Sequence, residues 1–177
     1  MTNIAIIIAF RNFCDEEYFI PRDIFLEVGF EVKTISSEKG IAVGGSGGDA
    51  DVDIYFEDFD ISKFDAIVFV GGPGAYKYID DESIWQIARN TIKQEKILAA
   101  ICIAPVILAR AGVLEGKKAT VWSSVMDKKP IHILEENGAK YQDKTVVQDG
   151  KIITANGPPS AKEFAETIVQ SLISPTA

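Results

Sequence analysis

The chain has 177 residues, 47% of them hydrophobic and 25% charged, enough for one well-buried core and too few for two comfortable domains. Its 18 basic against 26 acidic residues leave a formal net charge of -8, which repels phosphate backbones and anionic lipid and argues against nucleic acid or a membrane surface as partner. The opening apolar stretch Ile4–Phe10 is too short for a secretory signal, and no apolar run has membrane-spanning length. Two cysteines, Cys14 and Cys102, make no disulfide framework, so a reducing, cytoplasmic home is expected.

The predicted elements alternate. Asn3–Ala9 is a continuous apolar run, as a parallel strand covered on both faces requires. A helix is expected over Asp15–Val28, closed by Gly29, with Pro21 either kinking it or marking where its regular part begins. Glu31–Ile35 reads as the next strand. Gly40–Asp60 breaks the rhythm: five glycines fall within Gly40–Gly48, which predicts a loop or a bulged hairpin on the edge of the sheet. Asp49, Asp51 and Asp53 imitate the opening of a calcium loop. However, Ile54 stands where the turn glycine belongs and Asp60 where the bidentate Glu belongs, so the stretch reads as a solvated acidic edge. Asp65–Val70 and Ile97–Cys102 are buried strands, separated by a helix over Ser83–Lys93 with apolar Ile84, Ile87, Ala88 and Ile92. Ala104–Ala111 is a helix stopped by Gly112, and Ala119–Trp122 a strand. Thr145–Gln148 and Lys151–Thr154 flank the hairpin signal Asp149-Gly150, and Ser160-x-x-Glu163 forms a capping box opening a last helix through Leu172. Strands alternating with helices imply a single α/β domain over residues 1–177. The expected architecture is a three-layer, flavodoxin-like, doubly wound and mostly parallel sheet, with its site at the carboxyl ends of the strands.

The chemistry concentrates at Ala100-Ile101-Cys102-Ile103-Ala104-Pro105. A free cysteine in an apolar run is ordinarily a buried hydrophobe. Here, though, it falls where a buried strand gives way to a helix, and Pro105 is acceptable only in that helix's first turn. A sharp strand–turn–helix elbow needs small residues two positions either side of the nucleophile, and Ala100 and Ala104 meet that need. Backbone N–H groups at the start of the helix would then favour a thiolate.

At these residues the chain resembles the DJ-one/PfpI superfamily, which includes the parkinsonism-linked deglycase and the archaeal intracellular proteases. The run AICIAP is similar to that family's nucleophile elbow. Glu17, four residues before Pro21, matches the glutamate that bonds the family's cysteine, and Gly71-Gly72-Pro73-Gly74 matches its glycine turn. Gly157-Pro158 matches the Gly-Pro pair beside the same pocket, and the resemblance covers nearly the whole chain. It implies Cys102 as nucleophile and Glu17 as its proton partner. An ionised Glu17 would oppose a thiolate and a protonated one would donate to it, so burial has to keep the carboxyl neutral. A thiolate populated well below pH 7 is the expectation.

Departures from the family narrow the chemistry. The protease-like members carry histidine immediately after the cysteine, where this chain has Ile103, and Trp122 and Ser123 occupy the region of another family histidine. The single histidine, His132, reads as a residue on a surface helix. Without a base beside the nucleophile, peptidase activity is disfavoured, and one histidine with two distant cysteines supplies no metal site. Three readings stay open. One is a glyoxalase or deglycase acting on small reactive carbonyls without a cofactor. There the N–H groups of Gly72 and Ile103 would hold the oxyanion. The second is an oxidative-stress protein working through Cys102 oxidation. The third is a hydrolase or hydratase of another small electrophile, with Tyr76 and Trp122 shaping the pocket. Cys14 reads as a loop cysteine, with a place near the site, beside the Glu17 segment, as the alternative. As the family implies, a homodimer or larger homo-oligomer is expected.

Overall fold

The computed structural model of the chain describes residues 1–174. Its centre is a seven-stranded sheet built from β1 (Asn3–Ile7), β3 (Glu31–Ser36), β6 (Ile54–Tyr55), β7 (Ala66–Phe69), β8 (Ile97–Ile101), β11 (Val146–Asp149) and β12 (Ile152–Ala155). The spatial order is β11-β12-β8-β7-β1-β3-β6, and every neighbouring pair is parallel except the hairpin β11–β12. Ile4 to Ile7, Ile67 to Phe69 and Leu98 to Ile101 are buried without exception, because helices cover both faces of the sheet.

Chain direction within the sheet reverses at β1. From there β3 lies to one side, reached through α1 (Asp15–Glu27), while β7 and then β8 lie to the other, linked by α2 (Glu82–Lys93). Right-handed crossovers moving in opposite directions place α1 and α2 on opposite faces, which makes three layers. α5 (Ala161–Ile173) packs on α1, whereas α3 (Pro105–Arg110) packs on α2 and on α4 (Lys129–Glu136). The reversal leaves a crevice at the carboxyl ends of β1, β7 and β8.

Four sequence expectations need correcting. The glycine-rich hairpin does form, as β4 (Gly40–Gly44) and β5 (Asp49–Val52), but it lies off the main sheet's edge. It joins β2 (Arg11–Phe13) in a separate three-stranded sheet, and only β6 extends the main edge. The cause is local: the Asp15 carboxylate accepts the Ser46 and Gly48 N–H groups, both at 2.8 Å, and pins the hairpin turn to the start of α1. Nor is Ala119–Trp122 a strand of the main sheet. Only β9 (Lys118–Ala119) is extended, and it pairs with β10 (Lys140–Tyr141). Beyond it Thr120 N–H donates to the Thr154 hydroxyl and Trp122 N–H to the Cys102 carbonyl, at 2.9 and 2.8 Å, so the chain crosses the end of the sheet.

The capping box is absent as well. A 3-10 turn over Pro158–Ser160 runs directly into α5, so the Ser160 hydroxyl donates to Asn156 Oδ1 and Glu163 Oε2 accepts from the Thr145 hydroxyl. Finally, Pro21 does not delay α1, which is continuous from Asp15. Its missing N–H only leaves the Glu17 carbonyl without the usual donor from the next turn.

Candidate active site

Cys102 follows β8 directly and adopts φ +64°, a left-handed conformation that is costly for any residue with a Cβ. Two backbone bonds hold it there: its N–H donates to Ala155 O at 2.9 Å, and its carbonyl accepts from Trp122 N–H at 2.8 Å. Ala100 and Ala104 on either side are fully buried, so larger side chains would have no room at this turn. The regular helix behind it, α3, is a short one. The N–H of Ile103 donates to the sulfur, which favours the thiolate.

Glu17 arrives from the first turn of α1 and is completely buried. Its Oε2 accepts the Gly71 N–H at 2.9 Å, while Oε1 has no hydrogen-bond partner although the Cys102 and Cys14 thiols lie beside the carboxyl. Burial pushes the carboxyl up to about 7, against the opposing pull of its hydrogen-bonding contacts. The Cys102 thiol is also pushed up, first by burial and then by the charge of an ionised Glu17. The expected thiolate well below pH 7 thus meets resistance from burial. Moving one proton onto Glu17 removes the repulsion and makes the carboxyl a donor to sulfur.

The glycine turn brings the third wall. Gly71 packs so tightly that a Cβ there would stand 2.8 Å from Cys102 Cβ and 2.9 Å from Glu17 Oε2. Gly72 adopts φ +101°, and a Cβ on it would meet the backbone of Cys14 and Asn12. Around Cys102 the surface opens into two adjoining lobes that share Gly72, Pro73, Cys102 and Trp122. One, about 230 Å³, adds Tyr76 and Ile103 and is apolar. The other, about 280 Å³, adds Phe13, Cys14, Asp15, Glu17, Gly45, Ser46 and Pro158. Neither lobe is lined by a lysine, arginine or histidine. A larger cavity of about 330 Å³ lies between α1 and β5, lined by Arg22, Asp49, Asp51 and Asp53. It contains no nucleophile, so size alone does not mark the reactive site.

The structure therefore brings together Cys102, Glu17, Gly71, Gly72, Tyr76, Ile103, Trp122 and Pro158. Gly157 stands behind Trp122, where a Cβ on it would lie 3.6 Å from the indole. Ser123 lines neither lobe and lies beside the Tyr141 hydroxyl. His132 sits exposed on α4, with an ion-pair distance of 3.9 Å to Glu135. Of the two sequence alternatives for Cys14, the structure has the one near the site: it lines the same cavity as Cys102.

The profile of the DJ-1/PfpI family matches residues 2–171. The chain belongs to that family. It is 32% identical over 162 residues to the deglycase PfpI of Pyrococcus furiosus, covering 92% of this chain and 95% of the relative. It is 30% identical over 159 residues to the glutathione-independent glyoxalase DJR-1.2 of Caenorhabditis elegans, covering 90% and 82%. Among solved structures, a ThiJ/PfpI domain protein from Brachyspira murdochii superposes with a TM-score of 0.92 at 36% identity, covering 98% of both chains. Agreement with that neighbour in the sheet and its flanking helices establishes the flavodoxin-like α/β fold expected from the sequence.

Proposed function

We propose that this DJ-1/PfpI protein is a cofactor-independent enzyme acting on small reactive carbonyls, with Cys102 as nucleophile and Glu17 as proton carrier. The observation that carries the reading is the pairing of a left-handed Cys102 with a buried Glu17 whose Oε1 is unpartnered. Relatives named deglycase and glyoxalase support the same substrate class. In this reading the strand–turn–helix around Cys102 serves as a nucleophile elbow.

With the shared proton on Glu17, the Cys102 sulfur adds to the aldehyde carbon of a 2-oxoaldehyde. The carbonyl oxygen takes that proton and becomes the hydroxyl of a hemithioacetal, while the N–H groups of Gly72 and Ile103 support the developing charge. Glu17, now ionised, removes the proton from the same carbon through Oε1 and returns it to the neighbouring carbon, while the hydroxyl proton passes to the neighbouring carbonyl oxygen and leaves a thioester. Water then cleaves the resulting thioester, giving a 2-hydroxy acid and the free thiol. A carboxyl held near 7 is suited to both accepting and donating at neutral pH. The apolar lobe suits an uncharged substituent, and the acidic second lobe disfavours anionic substrates.

Lactate formed from methylglyoxal by the wild type and by Cys102→Ser tests the proposal. Turnover by the wild type that drops about 10³-fold or more in the variant is expected. Equal rates in the two proteins, or none in the wild type, would remove the carbonyl reading.

A further inference from the structure

Cys14 is the nucleophilic side chain that carbonyl chemistry leaves unused. It stands immediately before α1, where its backbone occupies the capping position but its side chain caps nothing. Its thiol points to Glu16 Oε2 at 3.4 Å and is half-buried, in the lobe that also holds Cys102 and Glu17.

Two contacts put both cysteines against one residue. Cys14 N–H donates to Gly71 O at 3.1 Å, and a Cβ on Gly71 would stand 2.8 Å from Cys102 Cβ. Beside both thiols stands the buried Glu17 carboxyl, with Oε1 unpartnered. A second thiol beside a reactive cysteine and a proton acceptor is the arrangement used to resolve an oxidised cysteine. Burial and the Glu17 charge push the Cys14 thiol up to about 12, so it would attack only with help from a base such as Glu17.

We propose that Cys14 resolves oxidised Cys102, so that the protein reduces neutral hydroperoxides through a Cys14–Cys102 disulfide. The Cys102 thiolate attacks the terminal oxygen of the hydroperoxide, the O–O bond breaks, and the departing alkoxide or hydroxide takes the proton held by Glu17. Cys102 is then a sulfenic acid, oxidised by two electrons. The Cys14 sulfur attacks the Cys102 sulfur while its proton passes through Glu17 to the departing oxygen, the S–O bond breaks, and water leaves. A dithiol reductant returns both thiols and is itself oxidised to a disulfide. This activity rests on a reactive Cys102 but not on carbonyl turnover.

The test treats the full chain with one equivalent of hydrogen peroxide, followed by intact mass and non-reducing peptide mapping. The expected wild-type result is a mass loss of two hydrogens, located to a Cys14–Cys102 cross-link and reversed by dithiothreitol. Cys14→Ser should instead gain one and then two oxygens on Cys102, and its peroxide consumption with dithiothreitol should fall about tenfold. Wild-type protein that collects two oxygens on Cys102 as fast as Cys14→Ser, with Cys14 still open to alkylation, would overturn the proposal. A Cys102 inert to peroxide in both proteins would also overturn it. Methylglyoxal turnover measured on the same sample shows whether the carbonyl reading stands or falls separately.

Discussion

Glu17→Gln is expected to slow carbonyl turnover by about 10²–10³-fold while making the folded protein more stable at alkaline pH. The two effects share one cause. Folding buries the carboxyl completely and raises it from 4.5 to about 7. A group raised on folding stabilises the native state fully only below its unfolded value, and that contribution is lost as pH climbs through the folded value. The wild type should therefore lose about 3 kcal/mol between roughly pH 4.5 and pH 7 from this residue. Glutamine keeps an oxygen to accept the Gly71 N–H and never ionises, so the loss disappears, but it cannot carry a proton. Urea unfolding at pH 5 and pH 8 reads the first effect: the variant's advantage should appear at pH 8 and shrink at pH 5. Parallel stability profiles for the two proteins would show that Glu17 is not held up by burial.

The turn facing Cys102 is the second place where a small change should have a large effect. Gly72→Ala forces a Cβ into φ +101° and drives it to 2.5 Å from the Cys14 nitrogen and 2.8 Å from the Asn12 oxygen, both backbone atoms that cannot swing aside. A loss of about 3 kcal/mol or more, accompanied by loss of turnover, is expected. Gly29→Ala is the matched control. Its φ of +83° is just as unfavourable, yet no atom lies within 4 Å of the added Cβ, so about 1 kcal/mol of conformational cost is all it should show. Equal urea midpoints for the two variants would mean that the turn is not packed as described.

Much of this was legible in the sequence, and the reasons are physical. Parallel strands covered on both faces must be apolar throughout, so Asn3–Ile7, Ala66–Phe69 and Ile97–Ile101 announced themselves. Cys102 was marked by its small neighbours Ala100 and Ala104 and by Pro105 just beyond. Glu17 was less visible: on residue pattern alone it resembles Glu16, and only the family resemblance separated the two.

The misses arose where long-range contacts outweighed local pattern. Cys14 stands three residues before Glu17, which hinted at the site, but the hydrogen bond to Gly71 that fixes it there spans fifty-seven positions. The glycine hairpin left the sheet edge because Asp15 holds its turn. Ser160 and Glu163 had the spacing of a capping box, yet Asn156 and Thr145 offered them better partners. Ser123 follows Trp122 directly in the chain, yet it lines neither lobe.

Activation of Cys102 by a proton shared with Glu17 can be read from the pH dependence of its alkylation by iodoacetamide, followed by peptide mapping. The rate should rise with a midpoint at or below about 7 and be confined to Cys102 rather than Cys14. A midpoint at the free-cysteine value of about 8.5 or above would contradict it.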